Sequence, residues 1–227
     1  MTRSDRRAVI AWLLGLAACI VVIAPTRFTA TTSAGVAYVD ACALPGATRV
    51  LGATDEAEYF ARMPFALRYF TVDVPEFAPV VVSTNGWIGL DGMPYGGRSP
   101  VSPSTLAPNL MMAVHAGDQE TLDPMCLAVS GASPSRRWIV AWPASAERNS
   151  LGPVAGSRLT YEAIVYEQTG IIEYVYATIT GTATSRYHGL EGPTGLSTGS
   201  VSACASGTTS HLCTVTTGYS VRFTPST

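Results

Sequence analysis

The sequence predicts an all-β protein, an antiparallel β-sandwich with an N-terminal hydrophobic signal or anchor segment. Short β-branched or apolar runs recur between segments rich in glycine, proline and asparagine, and hardly a helical pattern follows residue 63. Hydrophobic residues make up 47% of the 227 residues and charged residues 13%, which is enough apolar material for a sizeable core. We therefore expect residues 1–34 to be an export signal or N-terminal anchor and residues 35–227 to form a single β-sandwich domain.

The N-terminus has the pattern of an export segment. Residues 1–7 hold three arginines, and residues 8–24 carry no charge. Three fates of this segment stay open: lipidation at Cys19, which follows a lipobox-like Leu-Ala-Ala; cleavage after Ala34; and retention as a short anchor. Residues 25–35 are small and polar, and we expect a tether there. Every route predicts an exported protein of the bacterial cell envelope or exterior, with membrane contact only through this segment.

The domain is expected to begin with strands and a short helix. Residues 36–51 predict one or two strands. Residues 55–62 predict one or two helical turns, because acidic residues suit the positive N-terminal end of a helix and Pro64 would end it. Residues 65–72 alternate loosely between apolar and polar side chains, which is typical of a strand.

A tight hairpin is predicted next. Two apolar runs flank Asn85-Gly86, the dipeptide that most readily adopts positive φ at both central positions of a type I′ turn, so residues 80–90 predict a β-hairpin. Prolines and glycines in residues 91–109 predict a long surface loop. Gly97 in that loop should therefore tolerate substitution far better than Gly86.

Further strands are predicted in the second half of the chain. The segments 110–115, 125–129 and 137–142 are short apolar runs typical of buried strands. The strongest pair joins residues 158–166 to residues 171–179 through a turn at 167–170. In its return strand, Ile172, Tyr174 and Tyr176 share one face. A Gly/Ser/Thr-rich segment then precedes a closing strand at 215–223.

The cysteine count agrees with export. Without Cys19, four cysteines remain, an even number that predicts two disulfides in an oxidising compartment. Cys204 and Cys213 flank a short loop whose ends can meet, which favours pairing them with each other and Cys42 with Cys126. A zinc site is disfavoured because the usual Cys-x2-Cys pairs are missing.

Six segments occur in an order that resembles a known extracellular module. They are residues 65–70, 81–90, 106–108, 138–142, 159–170 and 188–192. Together they resemble the nidogen-like β-sandwich module of secreted bacterial proteins and of extracellular matrix and adhesion proteins, over residues 65–195. The resemblance implies an extracytoplasmic, non-enzymatic module. Such modules tend to have an aromatic and acidic cluster after Ala-Pro, whereas residues 109–115 intervene here, so no function tied to that cluster is carried over.

The sequence offers little for catalysis. Gly195-Leu196-Ser197-Thr198-Gly199 matches the Gly-x-Ser-x-Gly pattern of serine hydrolases, but nothing helical follows it and no acidic residue occurs after Glu191. His115 lies in an apolar run, where a partly buried, hydrogen-bonded histidine is expected. His188 and His211 have no carboxylate at a sensible spacing. We expect no catalytic residue and no cofactor.

Two other groups of residues are weighed as ligand sites. Asp118, Glu120 and Asp123 could present oxygens to calcium, but no glycine lies at a required turn, and a solvated acidic loop is the better interpretation. Exposed tyrosines could stack on sugars, although packing within the sheet is the more common use of this residue. The tyrosines in question are Tyr161, Tyr166, Tyr174, Tyr176 and Tyr187. No metal site is predicted.

We expect a non-catalytic binding or structural module whose partner is a protein or glycan at the cell surface. Nucleic acid is excluded because the net charge is −2 and no basic cluster is present in the domain. Two alternatives stay open. A row of exposed tyrosine or tryptophan on a concave face would favour a carbohydrate-binding protein, and a cleft joining serine, histidine and a carboxylate would favour a secreted hydrolase.

Overall fold

The computed structural model describes residues 27–97, 104, 107–181, 186–194, 201–204 and 212–226, and these are largely β-strand. No helix in these segments has the length and apolar character needed to cross a membrane. One 3-10 turn covers Ala41–Ala43. The strands are β1 (Arg27–Ala34), β2 (Thr48–Val50), β3 (Thr54–Asp55), β4 (Glu58–Arg62), β5 (Leu67–Tyr69), β6 (Val72–Val74), β7 (Pro79–Ser83), β8 (Trp87–Gly89), β9 (Met111–Ala116), β10 (Gln119–Thr121), β11 (Met125–Ser130), β12 (Arg137–Asn149), β13 (Gly152–Pro153), β14 (Arg158–Tyr166), β15 (Ile172–Thr180), β16 (Arg186–Glu191), β17 (Val201–Ser202), β18 (Leu212–Cys213) and β19 (Tyr219–Ser226).

The strands form two large antiparallel sheets and one small hairpin. Sheet A has the order β1-β19-β15-β14-β12-β10-β3, with β11 and β13 also paired to β12 and β2 paired to β11. Sheet B has the order β17-β16-β9-β8-β7-β4, with β18 also paired to β16. Among the described strands, β5 and β6 pair only with each other. Sheets A and B face each other across the main core, so the predicted antiparallel β-sandwich is confirmed.

Buried aromatic side chains join the two sheets. Trp142 in sheet A stacks on Tyr161, with ring centroids 4.9 Å apart, and its indole N–H donates a hydrogen bond to the Ser83 carbonyl in sheet B at 3.0 Å. The hydroxyl of Tyr174 likewise donates to the carbonyl of Gly189 at 3.0 Å. Each ring therefore supplies apolar area to the core while its polar atom satisfies a carbonyl of the opposite sheet.

Strand β1 corrects the predicted domain boundary after Ala34. The segment expected to be a tether pairs with β19 along all eight residues of the strand, from Arg27 opposite Ser226 to Ala34 opposite Tyr219. Phe28 is buried, and its ring centroid lies 5.1 Å from that of Phe70. The small and β-branched residues of β1 suit an edge strand as well as they suit a linker. The β-domain therefore includes residues 27–34, and the leader proper lies outside the described residues.

Of two further predictions in the N-terminal part, the first is confirmed in part and the second is wrong. Residues 36–51 contain one strand, β2, near their C-terminal end, and residues 36–47 instead pack on the outer face of sheet A. Residues 55–62 form β3 and β4 rather than helical turns. Tyr59 and Ala61, two residues apart, both pack against the core, and this period of two outweighs the local effect of the acidic residues.

The hairpin between β7 and β8 is present, but its turn differs from the prediction. Ser83 pairs with Trp87, so the connection has three residues, and the Gly86 N–H donates to the Ser83 carbonyl at 3.2 Å. Gly86 has a φ of 75°, whereas Asn85 does not have positive φ. This is the three-residue type of hairpin loop that ends on a left-handed glycine, not a type I′ turn.

The turn is buried and connects several segments. The Asn85 side-chain carbonyl accepts the Gln119 N–H at 2.9 Å, and its amide donates to Glu56 Oε1 at 3.3 Å and to the Gly97 carbonyl. The Gly86 carbonyl accepts two further N–H groups, from residues 114 and 115. A turn of this kind normally lies in solvent. Here it is buried and joins three loops and both sheets through its hydrogen bonds.

Candidate functional site

The structure forms two disulfides. Cys42 is bonded to Cys126 with a Cα–Cα distance of 5.2 Å, and Cys204 to Cys213 with a Cα–Cα distance of 5.9 Å. These are the pairs that the spacing in the sequence favours. The first bond fastens residues 36–47 to sheet A. The second links β18 to the end of β17, two strands that both pair with β16.

Two histidines from neighbouring strands of sheet B lie together inside the sandwich. The ring centroids of His115 and His188 are 5.0 Å apart, and the Tyr161 and Tyr176 rings of sheet A lie 5.3 and 6.3 Å from His115. His188 Nδ1 is 2.9 Å from the carbonyl of Val114. His115 is 3% exposed, and neither of its ring nitrogens has a hydrogen-bond partner among the described residues. It is therefore buried, but the described part of the chain does not supply the hydrogen bond expected from the sequence.

The histidines are neutral. Burial in the core lowers the pKa of His115 well below its ordinary value, and it lowers the pKa of His188 to about 4. An imidazole enclosed in this way cannot exchange a proton with a substrate in solvent. The pair therefore belongs to the packing of the core and does not form a catalytic base.

The same burial makes folding stability depend on pH. Both histidines stay neutral when folded but take up a proton when unfolded below about pH 6.5, so stability falls as pH decreases. Glu162 acts in the opposite direction, because burial raises its pKa to about 8 and the folded protein then retains a proton that the unfolded chain loses. We expect His115→Leu to flatten the dependence of unfolding free energy on pH by about 1 kcal/mol per pH unit between about pH 5 and pH 6.5.

Urea denaturation at a series of pH values measures this slope. Packing Leu in place of the histidine changes the free energy of unfolding by the same amount at every pH, so it does not affect the slope. Glu162→Gln is the matched control, because removing its titration should steepen the rise of stability with pH over the same range. A slope that is unchanged by His115→Leu would contradict the buried neutral state of this histidine.

Three carboxylates come together near the end of sheet A. Asp55, Glu56 and Asp118 each offer an oxygen within 4.8 Å of the others, and Oδ1 of both Asp55 and Asp118 is buried with no hydrogen-bond partner in the segments that the structure describes. Arg148 balances part of this charge, since its guanidinium lies 2.7 Å from Asp55 and 2.7 Å from Glu120. A hard cation such as calcium prefers an oxygen set of this kind.

This cluster differs from the calcium loop considered in the sequence. Glu120 is paired with Arg148, and Asp123 is exposed and does not belong to the cluster. Asp118 meets two acidic residues that lie more than sixty positions earlier. Nothing local in the sequence indicates that association, which depends on the pairing of β3 with β10.

An open groove lies where the edges of the two sheets separate. It has a volume of about 300 Å³ and runs between β4 of sheet B and the β2–β11 side of sheet A. The residues that line it are mostly apolar, and Arg62 is the one charged residue among those described. They include Pro45, Tyr59, Pro64, Leu127 and Trp138. The groove is open to solvent, so a partner could gain access to it.

Of the remaining sequence-predicted residues, those that the structure describes do not form an exposed ligand surface. Tyr161, Tyr174 and Tyr176 are fully buried, as packing within the sheet predicts. Tyr166 and Tyr187 are partly buried, and the latter packs on the outer face of sheet B. Cys19, Ser197 and His211 lie outside the described residues.

Comparison with known protein families identifies a match that covers most of the chain. A family model described as NIDO related, where NIDO denotes the nidogen-like domain, matches residues 27–225. No curated protein and no solved structure matches the chain. The matched segment starts at the first residue of β1 and ends within β19, so it takes in both strands at this edge of sheet A.

Proposed function

Because the chain belongs to the NIDO-related family, we propose that it is an exported, non-catalytic binding or structural module of the cell envelope or exterior. The family match carries this proposal, since it spans the whole sandwich rather than one motif. Two disulfides accord with an oxidising compartment outside the cytoplasm. A surface protein or glycan is the proposed partner, and the open groove beside β4 is the proposed place of contact.

The burial of the histidines supports the non-catalytic part of the proposal. Catalysis by side chains needs a base that reaches both the nucleophile and the substrate. His115 and His188 are enclosed by aromatic rings, and burial holds both in the neutral form. The described residues that line the open groove beside β4 include no serine, histidine or carboxylate, the set that would favour a hydrolase.

The structure of β1 also bears on export. Cleavage after Ala34 would remove a strand with eight paired residues and expose the edge of β19. We therefore propose that processing, if it occurs, takes place before Arg27. Lipidation at Cys19 and retention of the leader both leave β1 in place.

Intact mass of the exported protein, before and after treatment with a fluorophosphonate probe, tests the proposal. We expect a mass that includes residues 27–34 and no adduct of the probe, which reacts with activated serines. Cys19→Ser is the matched control, because it should abolish any added mass of lipid. A chain that begins at Gly35, a chain found only in the cytoplasm or a labelled Ser197 would each contradict the proposal.

A further inference from the structure

Strand β4 is an open edge of sheet B. In the described residues it pairs with β7 alone, in a register free of bulges. Beyond its end, the Met63 N–H donates to the Ala78 carbonyl at 2.9 Å, which continues this ladder. Backbone direction alternates along an antiparallel strand, so the odd-numbered residues face β7. The N–H and C=O groups that point away from the sheet are those of Glu58, Phe60 and Arg62.

The side chains of the same three residues share the outer face of sheet B. Phe60 is 55% exposed, which is unusual for a phenylalanine in the middle of a strand. Arg62 is exposed, and no carboxylate among the described residues pairs with it; its guanidinium donates to the carbonyl of Phe77 at 3.0 Å. The Glu58 carboxylate accepts the backbone N–H of Tyr95, at 2.9 and 3.1 Å to its two oxygens, and that of Gly97 at 2.8 Å. It has no arginine partner in the described part of the chain, so its negative charge is not balanced there.

This edge is complementary to itself. Glu58 and Arg62 lie two residues before and two residues after Phe60, with opposite charges. If two copies of β4 run antiparallel about a twofold axis at Phe60, each Glu58 stands opposite Arg62 of the partner subunit. The two exposed phenyl rings meet at the axis. Cross-strand pairs of opposite charge and of aromatic rings are the pairs that stabilise antiparallel sheets.

We propose that two copies of this chain associate through β4, joining their B sheets into one continuous antiparallel sheet. In this register each outward-facing residue exchanges two backbone hydrogen bonds with the residue opposite it. The backbone groups that point outward are therefore those that the pairing needs. Contacts of this kind are isologous and close as a dimer rather than growing into a filament.

The charges of Glu58 and Arg62 favour a second copy of β4, rather than an unrelated peptide, as the strand that pairs with this edge. A foreign strand could satisfy the backbone of β4, but it would need an acidic residue opposite Arg62 and a basic residue opposite Glu58 at the same spacing. A second β4 meets both needs without further conditions. The inference goes beyond the proposed function and does not depend on export.

Sedimentation velocity of the purified full chain tests this dimer. A five-residue edge is a small interface, and we expect a reversible dimer in the range from about 1 to about 100 micromolar. Arg62→Glu places glutamates opposite each other twice and should weaken the dimer about tenfold or more. Arg49→Glu is the matched control: it makes the same charge change on β2, an exposed edge strand of sheet A, and should leave the dimer unchanged.

Phe60→Lys is a second variant, which places like charges at the twofold axis without touching either member of the ion pair. It should also weaken the dimer, and circular dichroism verifies that each variant is folded. A chain that stays monomeric over the whole range overturns the proposal. A dimer that resists both Arg62→Glu and Phe60→Lys overturns it too, because its interface must then lie elsewhere.

Discussion

Gly86→Ala is expected to destabilise the protein by at least about 3 kcal/mol more than Gly96→Ala. The two glycines have nearly the same left-handed backbone, with φ of 75° and 70°, so the intrinsic cost of adding a side chain is matched. They differ in the space around them. A Cβ on Gly86 would lie 2.3 Å from the His115 carbonyl oxygen and 2.4 Å from Gln119 Nε2, whereas a Cβ on Gly96 meets nothing within 4 Å.

Urea denaturation of the two variants measures the difference. Gly97, which the sequence suggests as the tolerant position, is not a suitable control. A Cβ there would lie 2.1 Å from the backbone of Glu56, which contradicts the expectation that Gly97 tolerates substitution far better than Gly86. Equal stabilities for the alanine variants at 86 and 96 would show that the turn is not the buried junction described above.

Removing the Cys42–Cys126 disulfide is expected to cost about 4–5 kcal/mol, and removing Cys204–Cys213 about 3 kcal/mol. The difference follows from the length of chain that each bond closes, since the first joins residues 84 positions apart and the second residues 9 apart. A longer loop loses more freedom in the unfolded state when its ends are joined. Replacing both cysteines of a pair by alanine removes each bond without leaving an unpaired thiol.

Thermal and urea denaturation of the two double variants gives this comparison directly. Peptide mapping of the unreduced protein tests the pairing on which it depends. A peptide that joins Cys42 to Cys204 would contradict the pairing, and a larger loss from the short loop would contradict the account by loop length.

Local sequence patterns were sufficient to predict a strand where the strand itself has alternating apolar residues and a clear turn beside it. The predicted strand at 158–166 coincides with β14, and the partner at 171–179 differs from β15 by one residue at each end. The face predicted from Ile172, Tyr174 and Tyr176 is the one buried in the main core. Each of these strands has apolar residues at a period of two and a clear turn between them, so no distant partner is needed to identify it.

The wrong predictions concern strands that form only by pairing with a strand elsewhere in the sequence. Strand β1 contains only one large apolar residue, Phe28, and it becomes a strand because β19, near the other end of the sequence, supplies its hydrogen bonds. Strand β4 has acidic and apolar residues that fit either a helix start or an edge strand. Which of the two forms depends on β7, since tertiary contacts routinely override propensity.

In the candidate sites, too, local features could be predicted from the sequence, whereas contacts between distant residues could not. The burial of His115 follows from its apolar neighbours, but its contact with His188 depends on β9 and β16 lying side by side. The meeting of Asp55 and Glu56 with Asp118 similarly depends on strand pairing. The groove beside β4 depends on where two sheet edges separate, and no motif in the sequence marks that place.

The pairing of β1 with β19 also governs how the domain responds to tension. Arg27 stands opposite Ser226, so the two ends of the described chain leave the sheet at the same corner. A force that pulls these ends apart breaks the hydrogen bonds between β1 and β19 one pair after another. It does not load all of these hydrogen bonds at the same time. We therefore expect the domain to unfold at low force when it is stretched between its two ends. A force applied at the N-terminal side acts on β1 first.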